Sequence, residues 1–350
     1  MIETPFKTHG GALDAAIERY GGSRADWLDL STGINPAPPP VPDLLPDTWS
    51  RLPERAAEQR LANAARSAYG APAKAGIAIA PGTQALISLL PYLFEPRTVA
   101  ILDPTYSEHG RAFAAAGHTP CSFSHLAAIA DAATIVVVVN PNNPDGKRFA
   151  RRDLLDLADR LARRGGLLVV DEAFTDPEPG LSVAQETGRD GLLVLRSFGK
   201  FFGLAGLRLG FALTTPALAA SLAARLGSWA VSGPALAIGT AFLEDRALIA
   251  RVRVALGIQT DTLFGVLARV GLDVVGQTQL FATVHHPFAH ALHGALCRRH
   301  ILTRPFGYAP EWLRFGNPGE AHQALRLERA LVESFAETRQ ARDDPARQSS

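Results

Sequence analysis

Short, wholly apolar runs set between amphipathic stretches constrain this chain more than any other feature. Residues 135–139 (Ile-Val-Val-Val-Val) and 167–170 (Leu-Leu-Val-Val) carry no polar side chain. Such runs are too short to cross a bilayer and suit strands buried on both faces. Strands are expected at 77–80, 98–102, 134–140, 167–171 and 192–196, and helices at 56–69, 85–94, 108–116 and 152–164, with Gly70 as a helix stop. This alternation predicts an α/β fold, with a mostly parallel central sheet and helices on both faces.

The pattern changes after residue 232. A long helix over 234–269, strands at 272–275, 280–285, 301–304 and 312–315, and helices at 289–299 and 320–339 predict a smaller α+β domain. The expected organisation has four parts: an N-terminal segment (1–45) over the active site that packs with the small domain, a large domain (46–235), a small domain (236–339) and a disordered tail (340–350). The N-terminal segment reads as irregular, and Ala37-Pro38-Pro39-Pro40 forbids helix.

With 47% hydrophobic and 20% charged residues in 350, the chain can bury a large core, which excludes wholesale disorder. Lys+Arg 35 against Asp+Glu 34 leaves a net charge of +1, so no basic field exists to attract nucleic acid or a membrane surface. Two cysteines, Cys121 and Cys297, make neither a disulfide framework nor a zinc site alone, and fit a reducing cytoplasm. No signal peptide is visible at the N-terminus. The only lysines are Lys7, Lys74, Lys147 and Lys200, so lysine chemistry has few candidates.

In a sheet of this kind ligands sit beyond the carboxyl ends of the strands. The residues that follow the predicted strands are Gly82-Thr83-Gln84, Asp103 to Tyr106, Asn140 to Gly146, Asp171 to Phe174 and Ser197 to Lys200. A lysine, an aspartate, asparagines, a tyrosine and a Gly-Thr turn therefore converge. That set matches the needs of pyridoxal 5′-phosphate. Its aldehyde requires an amine, its pyridine nitrogen a carboxylate, its phosphate backbone N–H groups, and its ring an aromatic face.

Three blocks make the match specific: Asn140-Pro141-Asn142-Asn143-Pro144, Asp171-Glu172-Ala173-Phe174, and residues 196–211 (RSFGKFFGLAGLRLGF). In this order they resemble the signatures of class I/II, fold type I aminotransferases. The resemblance implies that Lys200 bonds the cofactor aldehyde and Asp171 pairs with the ring nitrogen. It places Asn143 on the phenolic oxygen and Tyr106 against the ring. It also implies a phosphate cup of Gly82, Thr83, Ser197 and Arg208, with Gln84 among the cofactor-binding residues. Arg314, in Trp312-Leu313-Arg314-Phe315, would grip the substrate α-carboxylate as a planar bidentate fork. Alternatives stay open: Tyr106 could be ordinary core, and Arg304 and Arg314 could be surface salt-bridge partners.

The cofactor does not choose the reaction, because the bond that breaks is the one the protein holds perpendicular to the ring. Thr8-His9-Gly10-Gly11, followed by residues 28–36 (LDLSTGINP), resembles the opening of cobalamin-biosynthetic L-threonine-O-3-phosphate decarboxylases. Phe174, where most class relatives have tyrosine, agrees with that family, as does Arg304. The resemblance implies that His9, Gly10, Gly33, Asn143, Arg304 and Arg314 bind a phosphorylated amino acid, and that the product is (R)-1-amino-2-propanol O-2-phosphate. It also implies a homodimer. Three residues depart from the wider pattern: Asp145 for threonine, Gly199 for serine or threonine, and Leu52 for a tyrosine that reaches the partner's cofactor.

The competing readings are a histidinol-phosphate-type aminotransferase and a non-catalytic cofactor-binding regulator. The first would need 2-oxoglutarate and release no CO2. The second usually carries a DNA-binding module, for which this chain has no spare length or basic recognition helix. His286, His290 and His293 could share a helix face, but no acidic residue is interleaved, so no metal site is expected.

Overall fold

The computed structural model describes residues 10–129 and 131–343, except for the side chains of 338–343. Contacts divide the chain into two units, Pro38–Val254 and a second made of Met1–Ala37 with Ala255–Ser350. The division falls inside a helix rather than at 235/236, because the helix that begins at Gly233 packs on the large unit.

The first described elements are α1 (Leu13–Tyr20) and β1 (Leu28–Asp29), in a segment expected to be irregular. The large unit then runs α2 (Asp47–Ser50), α3 (Arg55–Tyr69), β2 (Gly76–Ala80), α4 (Thr83–Leu89), β3 (Thr98–Leu102), α5 (Glu108–Ala115) and β4 (Thr119–Phe123). It continues through β5 (Ile135–Val139), α6 (Arg151–Ala162), β6 (Leu167–Asp171), β7 (Leu192–Ser197), α7 (Phe198–Phe201), β8 (Gly210–Thr214), α8 (Pro216–Leu226), α9 (Gly233–Glu244) and the start of α10 (Arg246–Arg269). Gly70 ends α3 at φ 68°, a left-handed conformation open to glycine, and its N–H caps the last turn. Thr215 and Ser232 cap α8 and α9 with their side chains, each followed within two residues by proline.

The seven strands lie in the order β2-β8-β7-β6-β5-β3-β4. All neighbours are parallel except β8, which runs antiparallel to β2 and to β7. Two reversals leave β2 in the same sense as β7. The carboxyl ends of β2, β3, β5, β6 and β7, and the beginning of β8, therefore share one sheet edge. Side chains of Val99, Ile101, Ile135, Val137, Val169, Leu193 and Leu195 pack against Leu86, Phe113 and Leu222 from the helices. At roughly 1.5–3 kcal/mol per buried aliphatic or aromatic side chain, this apolar face fixes the register of the strands and hence of their ends.

The second unit completes α10 and adds β9 (Asp273–Thr278), β10 (Phe281–His285), α11 (Ala289–Cys297), β11 (Ile301–Leu302), β12 (Arg304–Pro305), β13 (Trp312–Gly316) and α12 (Ala321–Asp343). Four strands form an antiparallel sheet in the order β12-β13-β10-β9, while β1 pairs in parallel with β11. Four expectations are corrected here. The helix expected over 234–269 breaks at Asp245, whose side chain accepts the N–H of Leu248 and starts a new helix. The strand expected at 301–304 is two short ones, and α12 continues to Asp343, past the expected start of a disordered tail at 340. His286 precedes α11, so the three histidines do not share a helix face. His290 Nε2 lies 3.1 Å from the Phe306 carbonyl and His293 Nδ1 2.9 Å from Thr303 Oγ1. Among the described residues no group of three or more His, Cys, Asp or Glu could hold a metal, and no helix is long and apolar enough to cross a membrane.

Candidate active site

Asp171 ends β6 and is 3% exposed. Its Oδ2 lies 2.9 Å from Nε2 of His109, and its Oδ1 accepts the Ala173 N–H at 3.0 Å. A carboxylate only accepts, so Nε2 carries the hydrogen. Burial works to raise the pKa of this group. The His109 hydrogen bond and charge, the Lys200 charge and the Ala173 N–H outweigh it, and the pKa is held below the usual carboxylate range. Asp171 is thus kept ionised inside the protein, as a partner for a protonated heterocyclic nitrogen must be. His109, the second residue of α5 and itself buried, was not singled out from the sequence. A lone histidine in a helix has no motif, and only the fold brings it behind Asp171.

Lys200 sits on the helical turn α7 immediately after β7. Its Nζ donates to Ser197 Oγ at 3.4 Å and lies 5.3 Å from the centre of the Phe174 ring. β6 and β7 are parallel neighbours with Asp171 opposite Leu195, so the acid and the amine leave adjacent strand ends. Lys200 contributes to keeping Asp171 ionised, which sets both charges in one electrostatic neighbourhood.

A candidate anion cradle is built from two segments. Gly82 links β2 to α4 at φ +85°, and a Cβ there would fall 2.7 Å from Nη2 of Arg208. A Cβ on Gly210 would fall 2.5 Å from the backbone N of Thr83. The Arg208 guanidinium therefore lies against the Gly82–Thr83 backbone, and this close approach is open only to glycine. Arg208 itself holds φ 51°, a left-handed conformation uncommon outside glycine. Backbone N–H groups at a helix start beside a guanidinium suit a phosphate dianion.

The Tyr106 hydroxyl donates to Gln84 Oε1 at 3.1 Å, while the Gln84 amide nitrogen reaches Glu108 and Ser88. Burial, with the charges of Glu108 and Asp171, pushes the Tyr106 phenol up to about 12, so it stays a neutral hydroxyl. Asn143 is half-buried in the loop after β5. The neighbouring Asp145 accepts from Asn142 Nδ2 at 2.7 Å and from the Lys147 N–H at 3.0 Å, which gives the departure from threonine a local task in shaping that loop.

The large unit thus brings Gly82, Thr83, Gln84, Tyr106, Asn143, Asp171, Ser197, Lys200 and Arg208 to one sheet edge. A carboxylate held ionised, an amine on the next strand, a half-buried aromatic side chain and a glycine-lined guanidinium cradle fit pyridoxal 5′-phosphate group by group.

In the second unit, Arg304 and Arg314 face each other directly across β12 and β13. They are 8% and 6% exposed, which overturns the reading of either as a surface salt-bridge residue. Arg314 Nη2 donates to the Ser31 carbonyl at 2.9 Å, and its Cζ lies 4.9 Å from the centre of the Phe281 ring. Burial, then the charge of Arg304, pushes the Arg314 guanidinium down to about 9; burial also lowers Arg304. Two buried like charges opposed across a ladder form a site for an anion. The Gly11 N–H donates to Ser31 Oγ at 2.7 Å, and a Cβ on Gly10 would fall 2.3 Å from the Ser31 carbonyl oxygen, so the start of the described chain presses on the loop that holds Arg314. Gly33 is buried in that loop. His9 lies outside the described residues.

Residues 44–327 match the family described as aminotransferase class I and II. The chain is 46% identical over 328 residues to a threonine-phosphate decarboxylase of Sinorhizobium sp, which covers 93% of this chain and 97% of that protein. It is 43% identical over 326 residues to the threonine-phosphate decarboxylase of Pseudomonas aeruginosa, with the same two coverages of 93% and 97%. A histidinol-phosphate aminotransferase of Mycobacterium bovis is 34% identical over 221 residues, 60% of this chain and 59% of that protein. Among solved structures, a histidinol-phosphate aminotransferase from Sinorhizobium meliloti in complex with pyridoxal-5'-phosphate gives a TM-score of 0.79 at 20% identity, covering 93% of this chain and 94% of that one.

Proposed function

The chain belongs to the aminotransferase class I and II family, and on that footing we propose that it decarboxylates L-threonine O-3-phosphate with pyridoxal 5′-phosphate as cofactor. The products are CO2 and (R)-1-amino-2-propanol O-2-phosphate, which would serve as the aminopropanol linker in cobalamin biosynthesis. The observation that carries this reading is the near-full-length likeness to threonine-phosphate decarboxylases, where the histidinol-phosphate aminotransferases match over a shorter part.

When bound, the cofactor supplies an electron sink for the pair left at Cα as the carboxylate departs. Asp171, kept ionised by His109, holds a proton on the ring nitrogen. Lys200 carries the amine that would bind the aldehyde and, once the substrate amine had displaced it, would be the group to return a proton to Cα. Gly82, Thr83, Ser197 and Arg208 would take the cofactor phosphate, Asn143 its phenolic oxygen and Tyr106 the face of its ring. Arg314 would take the substrate carboxylate and Arg304 its phosphate, with His9 and Gly10 as further phosphate donors and Gly33 as a further substrate contact. A substrate with a carboxylate and a phosphate matches two opposed guanidiniums better than a singly charged one does.

The protein acts in the cytoplasm as a homodimer in this reading. Cys121 and Cys297 are free thiols, as a reducing compartment allows. Leu45, Trp49 and Leu52 are 75%, 71% and 65% exposed on one segment of the large unit, an apolar surface suited to a second copy. Leu52 offers no phenol, so that segment lends no tyrosine to the partner's cofactor.

Purified protein incubated with cofactor and L-threonine O-3-phosphate should release CO2 and aminopropanol phosphate without 2-oxoglutarate. Turnover of histidinol phosphate that depends on 2-oxoglutarate would establish the aminotransferase instead. Cofactor binding without turnover of either compound would establish a regulator.

A further inference from the structure

Behind the sheet edge lies a second set of charges that the proposed reaction does not use. Arg196 and Glu172 are the chain neighbours of Ser197 and Asp171. Because side chains alternate along a strand, they point to the opposite face from those two. Arg196 Nη1 reaches Glu172 Oε2 at 2.6 Å and Nη2 reaches Asp176 Oδ1 at 2.6 Å. The Ser182 hydroxyl and the Val183 N–H also donate to Glu172, at 2.6 and 2.7 Å. The guanidinium Cζ stacks 4.3 Å from the centre of the Tyr69 ring.

Two observations give this bridge a task. The backbone ladder between β6 and β7 ends at the bond from the Glu172 N–H to the Leu195 carbonyl, so beyond it only side chains join the two strands. The turn that carries Lys200 is packed through Phe198, Phe201 and Phe202, buried against one another and Phe242. On the side of the bridge, a cleft of about 140 Å³ lies against Tyr69, Arg196, Phe201 and Phe202, so there the charged side chains are not backed by continuous packing.

We propose that Arg196, Glu172 and Asp176 are positioning residues: their buried bridge fixes the separation between the strand ends that present Asp171 and Lys200. This rests on the reading that Lys200 bonds the cofactor. A bridge that merely supported the fold would change stability alone. A positioning bridge also changes the electrostatic coupling between Lys200 and Asp171.

The experiment uses cofactor-loaded protein and the variants Glu172→Gln, Arg196→Met and Arg196→Lys, with the double variant Glu172→Gln/Arg196→Met. Three quantities are read: the melting temperature, the pH at which the visible cofactor band titrates, and the rate of its borohydride reduction. The single variants should move the titration by about one pH unit. The double variant no longer leaves the Glu172 carboxylate buried without Arg196, so it should regain melting temperature relative to Arg196→Met without regaining the titration. Arg196→Lys keeps the charge but not the fork and should fall between wild type and Arg196→Met. Variants that melt lower yet titrate and reduce like wild type would overturn the proposal. Should a single variant fail to fold, the double variant and Arg196→Lys decide by the same two optical readouts. Absence of any band in the unaltered protein would overturn the cofactor reading beneath it, a result separate from a band that forms and ignores the bridge.

Discussion

Replacing His109 by phenylalanine tests how Asp171 is kept ionised. The change keeps a ring of similar bulk and removes one hydrogen bond, 2.9 Å long, between side chains that are 2% and 4% exposed. A hydrogen bond to a charged group contributes about 1.5–3 kcal/mol. Losing it should raise the Asp171 pKa from its lowered position by the equivalent of that free energy. The sign follows from linkage. In wild type the lowered pKa gives stability that is present above the ordinary carboxylate range and lost as pH falls through the folded value. The variant keeps the burial without the partner, so it takes up a proton at higher pH. The difference in melting temperature between the cofactor-free proteins should be greatest near neutrality and shrink as the pH is lowered toward 4. A second readout is the loaded protein, whose visible spectrum should change with pH earlier in the variant. An equal melting difference at pH 8 and pH 4.5, with superimposable spectra, would refute the role given to His109.

Lys200→Ala should abolish the visible cofactor band; a band that survives, with Lys7, Lys74 or Lys147 labelled on borohydride reduction, contradicts the lysine assignment. Gly82→Ala places a methyl 2.7 Å from Arg208 Nη2 at φ +85°. It should cost about 1–3 kcal/mol of strain and weaken cofactor retention, measured by dialysis against the wild type. Arg304→Gln removes one of two opposed buried cations, so KM for L-threonine O-3-phosphate should rise roughly 10- to 150-fold while the melting temperature does not fall; a lowered melting temperature with unchanged KM would make Arg304 a purely structural residue.

Much of the site was legible because its residues follow strands whose sequences admit little else. The runs at Ile135–Val139 and Leu167–Asp171 are buried throughout, and Asp171 is the first charge after an apolar run. The strand β8 was not read, because Gly210–Thr214 is short and glycine-led and begins within the block that carries the lysine, residues 196–211. β4 was not read either, since Pro120 argues against a strand and is tolerated only at the sheet edge, where β4 lies. His109 and the Arg196 bridge became visible only in three dimensions. Arg196 and Glu172 are 24 positions apart and meet only because β6 and β7 pair in parallel. Likewise, Gly82 reads as a turn residue from sequence, and its clearance for Arg208 is a tertiary fact.

The second unit is assembled from both ends of the chain. β1 has no partner strand until β11 has been made, and the backbone of Leu30 is bonded to Leu302 and Gly316. On the ribosome, the amino-terminal segment must therefore wait through the synthesis of the whole seven-stranded sheet before it can dock. Any nascent chain released before Gly316 leaves its own beginning without a place to fold, so a truncation near the carboxyl terminus injures the amino terminus first.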